Sequence, residues 1–134
     1  MIDHIAIVTS QLETMKDFYI KYFGGRVKKW ISPDGEGVLY FIMYENGTVL
    51  ELEQQLKAEK IPFAPKASWA RIEHIAFRAK DREEVCSLTK QIEEDGYTIV
   101  QQPTDYGCEG FFESCLLDPD GNLVEIGIDP CIFC

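Results

Sequence analysis

The sequence lacks any apolar run close to the roughly 20 residues that a membrane-spanning helix needs. Its opening residues also lack the basic leader of a targeting segment, so we expect no membrane partner and a cytoplasmic location. The 134 residues suffice for one domain and leave little room for a second independent core. A composition of 46% hydrophobic and 12% aromatic residues excludes a disordered or fibrous chain.

Basic residues are missing from the last third of the chain. No lysine, arginine or histidine follows Lys90, whereas ten acidic residues lie between Glu93 and Asp129. Over the whole chain, 13 basic and 23 acidic residues give a net charge of −10. Because this charge repels phosphate backbones and anionic membranes, we expect no nucleic-acid partner.

The cysteines do not form a disulfide framework. There are five of them, an odd number without regular spacing, which is typical of reduced thiols in a cytosolic protein. Cys131 and Cys134 have the two-residue gap of a zinc or redox pair, but the sequence has no second such pair. Free thiols are therefore favoured over a functional pair.

Histidine is also scarce, and its two occurrences reveal an internal repeat. His4 and His74 are 70 residues apart, and each opens an apolar strand pattern. A helical pattern follows each strand, and a glycine that suits a helix end comes next, Gly24 or Gly96. In both copies a glutamate follows a turn glycine by four residues.

The remaining patterns complete two copies of strand, helix and three strands. The helical patterns run from Leu12 to Tyr22 and from Val85 to Ile92, with Leu88 as a core position of the second. We predict the later strands at Val27–Ile31, Val38–Tyr44, Thr48–Leu52, Tyr97–Gln101, Phe111–Leu117 and Asn122–Ile126. This organisation predicts a single domain, 1–134, made of modules 1–54 and 71–134 joined by a linker, 55–70.

Four polar residues stand at equivalent places in these apolar strands: His4, Glu51, His74 and Glu125. Burial of a carboxylate among Val, Leu and Ile costs several kcal/mol of folding free energy unless the charge is paired or bound to a metal. Each residue alone is more typical of a satisfied core or surface position. Their repetition favours a divalent metal site with one or two positions open for water or substrate.

These motifs resemble the glyoxalase/bleomycin resistance protein/dioxygenase superfamily, also called the vicinal oxygen chelate proteins, over essentially the whole chain. The resemblance implies an α+β fold of two tandem βαβββ modules that form a U-shaped metal-binding cleft. It implies nickel or zinc at the four residues, with cobalt, manganese and iron as alternatives. The matching motifs are His4-Ile-Ala-Ile, Phe18-Tyr-Ile-Lys-Tyr-Phe-Gly24, Val49-Leu-Glu51-Leu, His74-Ile-Ala-Phe and Asp118-Pro-Asp-Gly-Asn-Leu-Val-Glu125.

Two histidines and two glutamates resemble the ligands of the glyoxalase I and methylmalonyl-CoA epimerase branches. By this resemblance, the metal polarises two vicinal oxygens of a small-molecule substrate. Glu51 or Glu125 then moves a proton next to the carbonyl through an enediolate. The resemblance to glyoxalase I also implies a homodimer, in which His4 and Glu51 of one chain meet His74 and Glu125 of the other.

The substrate contacts depart from standard glyoxalase I. The branch usually has arginine four residues after the first histidine, where this chain has Val8. In the late loop Gln102–Gly110, all the charged residues are acidic. Arg78, on the face of His74, is a candidate anion contact, although a strand-end arginine also suits a solvent-exposed role. Tyr40 is a candidate for the cleft lining, with a core position equally compatible with its pattern.

Two further interpretations stay open at this point. Glu36 precedes a central strand where an epimerase-like acid or base stands, but a glutamate in a glycine-rich hairpin is more typical of solvent-exposed surface. The chain also resembles metal-free, antibiotic-sequestering proteins of the bleomycin-resistance type, whose acidic cleft suits a cationic ligand. The four candidate ligands favour a metal-dependent lyase or isomerase, whereas the acidic second half favours the binding protein.

Overall fold

The computed structural model describes residues 2–54, 72–107 and 111–128. The chain divides into two compact units, Met1–Arg71 and Ile72–Cys134. The whole predicted linker, 55–70, lies outside the described residues, as do Cys108, Cys131 and Cys134.

The first unit contains one helix and a four-stranded sheet. Its strands lie in the order β1-β4-β3-β2, with β1 and β4 parallel and the other neighbours antiparallel. The elements in chain order are β1 (His4–Thr9), α1 (Leu12–Phe23), β2 (Arg26–Ile31), β3 (Val38–Met43) and β4 (Val49–Gln54).

The second unit repeats this arrangement. Its sheet has the order β5-β8-β7-β6, again with one parallel pair, β5 and β8. The elements are β5 (His74–Arg78), α2 (Arg82–Glu94), β6 (Ile99–Asp105), β7 (Phe112–Leu117) and β8 (Leu123–Ile128). The α+β class and the two βαβββ modules predicted from the sequence are confirmed. Neither of the described helices has the length and apolar character required to cross a membrane.

Helix α1 packs on its sheet through the face that the sequence predicts. The buried positions recur at three- and four-residue spacing, as expected for one face of a helix. They are Leu12, Met15, Phe18, Tyr19 and Tyr22. The sheet contributes alternate residues of its central strands, Ile42, Leu50 and Leu52, which are also buried.

Helix α2 differs from the prediction at one core position. Val85 and Ile92 are fully buried as predicted, but Leu88 is half-buried and the fully buried residue between them is Thr89. The Thr89 hydroxyl donates to the Val85 carbonyl at 2.6 Å and lies 2.7 Å from the Ser114 hydroxyl on β7. These hydrogen bonds satisfy the Thr89 hydroxyl, so that a polar residue can be buried in the core. The periodicity of apolar residues alone does not indicate such a position.

Strand β6 also differs from the prediction. The sequence predicts Tyr97–Gln101, with a loop from Gln102, whereas the strand runs from Ile99 to Asp105 and includes Pro103. Proline is tolerated because β6 is an edge strand, where one row of backbone groups needs no partner. The pairing with β7 contains register shifts on either side of Gln101.

Within each unit the helix covers one face of the sheet, and we call the opposite face the helix-free face. Side chains alternate between the two faces along a strand. Leu50 and Leu52 are buried beneath α1, so Glu51 belongs to the helix-free face. Val124 and Ile126 are buried beneath α2 in the same way, and this assigns Glu125 to the helix-free face of the second unit.

Candidate metal centre

The first unit brings His4 and Glu51 together on neighbouring strands. β1 and β4 are parallel, and Glu51 pairs with Ala6, two residues from His4 on the same face. His4 Nε2 lies 3.1 Å from Glu51 Oε2, and the glutamate side chain is only 14% exposed. This strand pairing places an imidazole nitrogen beside a largely desolvated carboxylate.

The second unit repeats the pair with His74 and Glu125. Glu125 pairs with Ala76 across the parallel strands β5 and β8, so the diagonal relationship is the same. His74 Nε2 lies 3.5 Å from Glu125 Oε2, and the glutamate side chain is 20% exposed. Both glutamate strands follow a turn whose glycine has a positive φ, 85° at Gly47 and 84° at Gly121, a conformation that glycine adopts without strain.

A carboxylate also holds the other nitrogen of each histidine ring. His4 Nδ1 lies 2.9 Å from Asp3 Oδ2, and His74 Nδ1 lies 3.4 Å from Glu73 Oε2. A carboxylate on one ring nitrogen fixes the tautomer of a metal-binding histidine and makes the other nitrogen a better ligand. The sequence prediction did not include Asp3 or Glu73, although an acid precedes the histidine in both copies of the repeat.

The surroundings of His4 favour a positive charge at the ring. The hydrogen bond with Asp3 is the largest cause that raises the pKa of His4; desolvation opposes it, and the negative charges of Glu51 and Asp3 raise the pKa further. An imidazole between two carboxylates is satisfied either as the imidazolium or by a cation between Nε2 and the glutamate oxygen.

The atoms of each pair are spaced as two ligands of one ion. Metal bonds of about 2.1 Å to nitrogen and oxygen place adjacent ligand atoms roughly 3.0 Å apart in octahedral and 3.4 Å apart in tetrahedral geometry. The observed Nε2 to Oε2 distances are 3.1 and 3.5 Å. The donor set of imidazole nitrogen and carboxylate oxygen suits zinc, nickel, cobalt, manganese or iron. Each histidine and glutamate pair therefore fits half of a divalent metal site.

Each unit thus brings together one predicted histidine and one predicted glutamate. Within the described part of either unit, no group of three or more histidine, cysteine, aspartate or glutamate side chains is arranged to hold a metal ion. The assignment of all four residues to one ion stays a prediction.

The predicted substrate-contacting residues lie in different surroundings. Arg78 is exposed on β5 and, by strand alternation, shares the helix-free face with His74. Tyr40 lies on the opposite face of the first sheet, where its buried ring packs under α1 and its hydroxyl donates to Glu13 Oε1 at 2.5 Å. Glu36 is exposed in the connection between β2 and β3.

Two small residues on the helix-free face adjoin Glu125. Cys115 pairs directly with Glu125 across β7 and β8, where burial first and then the negative charges of Glu125 and Glu113 raise the pKa of its thiol. Gly127 leaves open the space beside the carboxylate, because a Cβ there would lie 3.4 Å from Glu125 Oε1. Glu113, which pairs with Gly127 across β7 and β8, borders the same space.

The family model described as Glyoxalase/Bleomycin resistance protein/Dioxygenase superfamily matches residues 1–126. No curated protein matches the chain.

Several solved structures are similar over nearly the whole chain. A glyoxalase/dioxygenase from Nostoc punctiforme has a TM-score of 0.74 at 21% identity, covering 97% of this chain and 91% of that one. A putative glyoxalase from Bacillus halodurans has a TM-score of 0.69 at 26% identity, covering 96% of both chains. The trypanothione-dependent glyoxalase I from Leishmania major has a TM-score of 0.71 at 25% identity, covering 96% of this chain and 86% of that one.

Proposed function

Because the chain belongs to the glyoxalase/bleomycin resistance protein/dioxygenase superfamily, we propose that it is a metal-dependent lyase or isomerase acting on a small metabolite with vicinal oxygens. The family resemblance predicted from the sequence is confirmed, and the reaction is our proposal. The observation that carries it is the repeated pair, in which Nε2 of a histidine faces Oε2 of a glutamate at 3.1 Å in one unit and 3.5 Å in the other.

In this proposal, His4, Glu51, His74 and Glu125 hold one divalent ion, with nickel or zinc favoured over cobalt, manganese and iron. The bound ion would polarise two vicinal oxygens of the substrate and lower the pKa of the adjacent carbon acid. Asp3 and Glu73 support the site by holding Nδ1 of each histidine, which keeps Nε2 directed at the glutamate.

The proton transfer is assigned to Glu51 or Glu125. Both carboxylates are largely shielded from water, and such surroundings favour proton exchange with a substrate held nearby. The space beside Glu125 Oε1 that Gly127 leaves open gives a substrate atom room to approach this carboxylate. Arg78, on the same face as His74, is proposed to contact a negatively charged group of the substrate.

We also propose a homodimer in which His4 and Glu51 of one chain and His74 and Glu125 of the other form each site. The support is the division of the four candidate ligands into one pair per compact unit. Neither unit alone supplies four ligands, so the site requires both kinds of unit, from one chain or from two.

Deuterium exchange into 2-hydroxyacetophenone tests the reaction class, since this small probe has vicinal oxygens and an exchangeable proton next to a carbonyl. We expect nickel-loaded protein in deuterium oxide to accelerate exchange, and chelation to abolish the acceleration. If Glu125 is the base, Glu125→Gln should lower the rate by roughly 100-fold or more, whereas exposed Glu53 in the matched variant Glu53→Gln should have little effect. Equal exchange by nickel-loaded and chelated protein would contradict the proposed reaction.

The second candidate is a metal-free protein that sequesters a cationic antibiotic of the bleomycin type. It is favoured by the acidic second half of the chain, where no basic residue follows Lys90. Calorimetric titration of chelated protein with bleomycin tests it. Micromolar binding that is unaffected by Glu51→Gln would favour sequestration over the metal-dependent reaction.

A further inference from the structure

The helix-free face of the first unit continues from the candidate ligands to the outer strand β2. The strand register aligns Ala6, Glu51, Phe41 and Lys28 in one row across the four strands. Lys28 is therefore two strands from Glu51 on the same face, a separation of about 10 Å between their backbones. A small molecule that contacts Glu51 with one end can reach this strand with the other.

Observed contacts support the assignment of alternate β2 residues to the two faces. Arg26 contacts the sulfur of exposed Met43 at 3.4 Å, and Met43 alternates with Ile42, which is buried under α1. The Lys29 ammonium lies 5.6 Å from the centre of the Tyr40 ring, on the helix side. Arg26, Lys28 and Trp30 therefore belong to the helix-free face, and Lys29 belongs to the other.

The surface between Glu51 and β2 is apolar and partly open. Phe41 and Leu39 on β3 are half-buried, and the Trp30 side chain that pairs with Leu39 is 43% exposed. An exposed tryptophan beside half-buried apolar residues offers a ring face for the apolar body of a ligand. The helix-free face thus has the candidate ligands on one side and an apolar strip beside them.

The far side of this strip is positively charged in a strongly acidic protein. β2 carries Arg26, Lys28 and Lys29 and no acidic residue, although the net charge of the chain is −10. Within residues 2–54, 72–107 and 111–128, Lys28 makes no ion pair or hydrogen bond. Its ammonium group is available to an anionic ligand lying along the row.

We infer that the substrate is an apolar, preferably aromatic, anion whose vicinal oxygens bind at His4 and Glu51, whose body covers Phe41 and Trp30, and whose negative group binds Lys28. This inference rests on the proposed function and adds the substrate class. The basic residues of β2 support an anionic ligand because Arg26 and Lys28 are on the face that carries Glu51.

The test compares two catechols, which present vicinal oxygens at one end and differ in charge at the other. We expect nickel-loaded protein to bind 3,4-dihydroxyphenylacetate about fivefold more tightly than 4-methylcatechol in calorimetric titrations, as one partly exposed ion pair provides. Lys28→Gln should remove this preference. Lys29→Gln, with the same charge change on the other face, should retain it.

The outcomes separate the inference from the proposed function. Equal nickel-dependent binding of the two catechols, or a preference that survives Lys28→Gln, would reject the inference while leaving the metal site intact. Binding of the acid that needs Lys28 but not nickel would support the anion contact and contradict the metal site. If neither catechol binds in a nickel-dependent or Lys28-dependent way, both the proposed function and the inference are contradicted.

Discussion

At the scale of single residues, each candidate histidine has a carboxylate at both ring nitrogens. Asp3 and Glu51 flank His4, and Glu73 and Glu125 flank His74. The two carboxylates differ in exposure, since the side chain of Asp3 is 96% exposed and that of Glu51 is 14% exposed. In the proposed metal site, this difference suits the outer acid to orienting the ring and the inner one to binding the ion.

Loss of the Asp3 carboxylate should therefore weaken metal binding without loss of the fold. We expect Asp3→Asn to raise the dissociation constant for nickel by about tenfold, at the lower end of the effect of such supporting groups. The exposed turn residue Glu45 provides the control Glu45→Gln, which removes the same charge far from the histidine in sequence. Competition with a chelating indicator measures both constants, and an equal change in the two variants would contradict the orienting role.

Val8 should limit activity toward the hemithioacetal of methylglyoxal and glutathione. It is exposed on the face of His4, where the glyoxalase I branch usually has arginine. A missing charged hydrogen bond costs about 1.5 to 3 kcal/mol, so we expect weak turnover by the wild type and a rise in kcat/KM of roughly 10-fold to 100-fold in Val8→Arg. Val27→Arg, on the helix side of β2, should have no such effect. Robust turnover by the wild-type nickel or zinc form would contradict this reasoning.

At the scale of elements, α2 packs on its sheet through a buried pair of hydrogen-bonded hydroxyl groups as well as through apolar contacts. Thr89 donates to the Val85 carbonyl and lies 2.7 Å from the Ser114 hydroxyl, and both side chains are fully buried. An unsatisfied hydroxyl in such surroundings is costly, so the two residues are expected to act as a unit.

Removal of one hydroxyl should destabilise the protein. Removal of both should lower the free energy of unfolding by less than the sum of the two single removals. Thr89→Val keeps the side-chain volume but leaves the Ser114 hydroxyl without this partner, which we expect to lower the free energy of unfolding by about 1 to 3 kcal/mol. Ser87→Ala is the control, because Ser87 makes a similar bond to the Glu84 carbonyl on the exposed side of α2. Urea denaturation measures the changes, and additive effects of Thr89→Val and Ser114→Ala would contradict the coupling.

Most elements and the equivalence of the two halves were predictable because periodicity and repeats are properties of the sequence itself. The sequence did not predict that Tyr40 lies on the helix side of its sheet. Strand alternation places Tyr40 on one face, but it does not indicate which face the helix covers. Thr89 was missed because its burial depends on a partner 25 residues away, Ser114. β6 was predicted too short because Pro103 is compatible with a strand only at a sheet edge.

At the scale of the whole molecule, the duplication divides the candidate ligands equally between two compact units. His4 and Glu51 are close in the first unit, and His74 and Glu125 are close in the second. The sequence predicted which residues belong to each pair, and Asp3 and Glu73 were recognised as their supports only from the contacts.

Mixed dimers of His4→Ala and His74→Ala subunits test the exchange of units between chains. If each site takes one pair from each chain, both lesions fall in one site and the other site is intact. We therefore expect the mixed dimer to recover about half of the wild-type metal sites, whereas each homodimer recovers none. Absence of recovery in a verified mixed dimer would reject the exchange and leave the four-ligand assignment unchanged.

The metal content of purified variants tests the central claim, that the two histidine and glutamate pairs bind one divalent ion. Glu51 and Glu53 provide a matched comparison, because they are two residues apart on β4 and share the helix-free face. After nickel loading and dialysis, elemental analysis should find one ion per chain in the wild type and in Glu53→Gln, and far less in Glu51→Gln and Glu125→Gln. Equal metal content in Glu53→Gln and the two ligand variants would contradict the account.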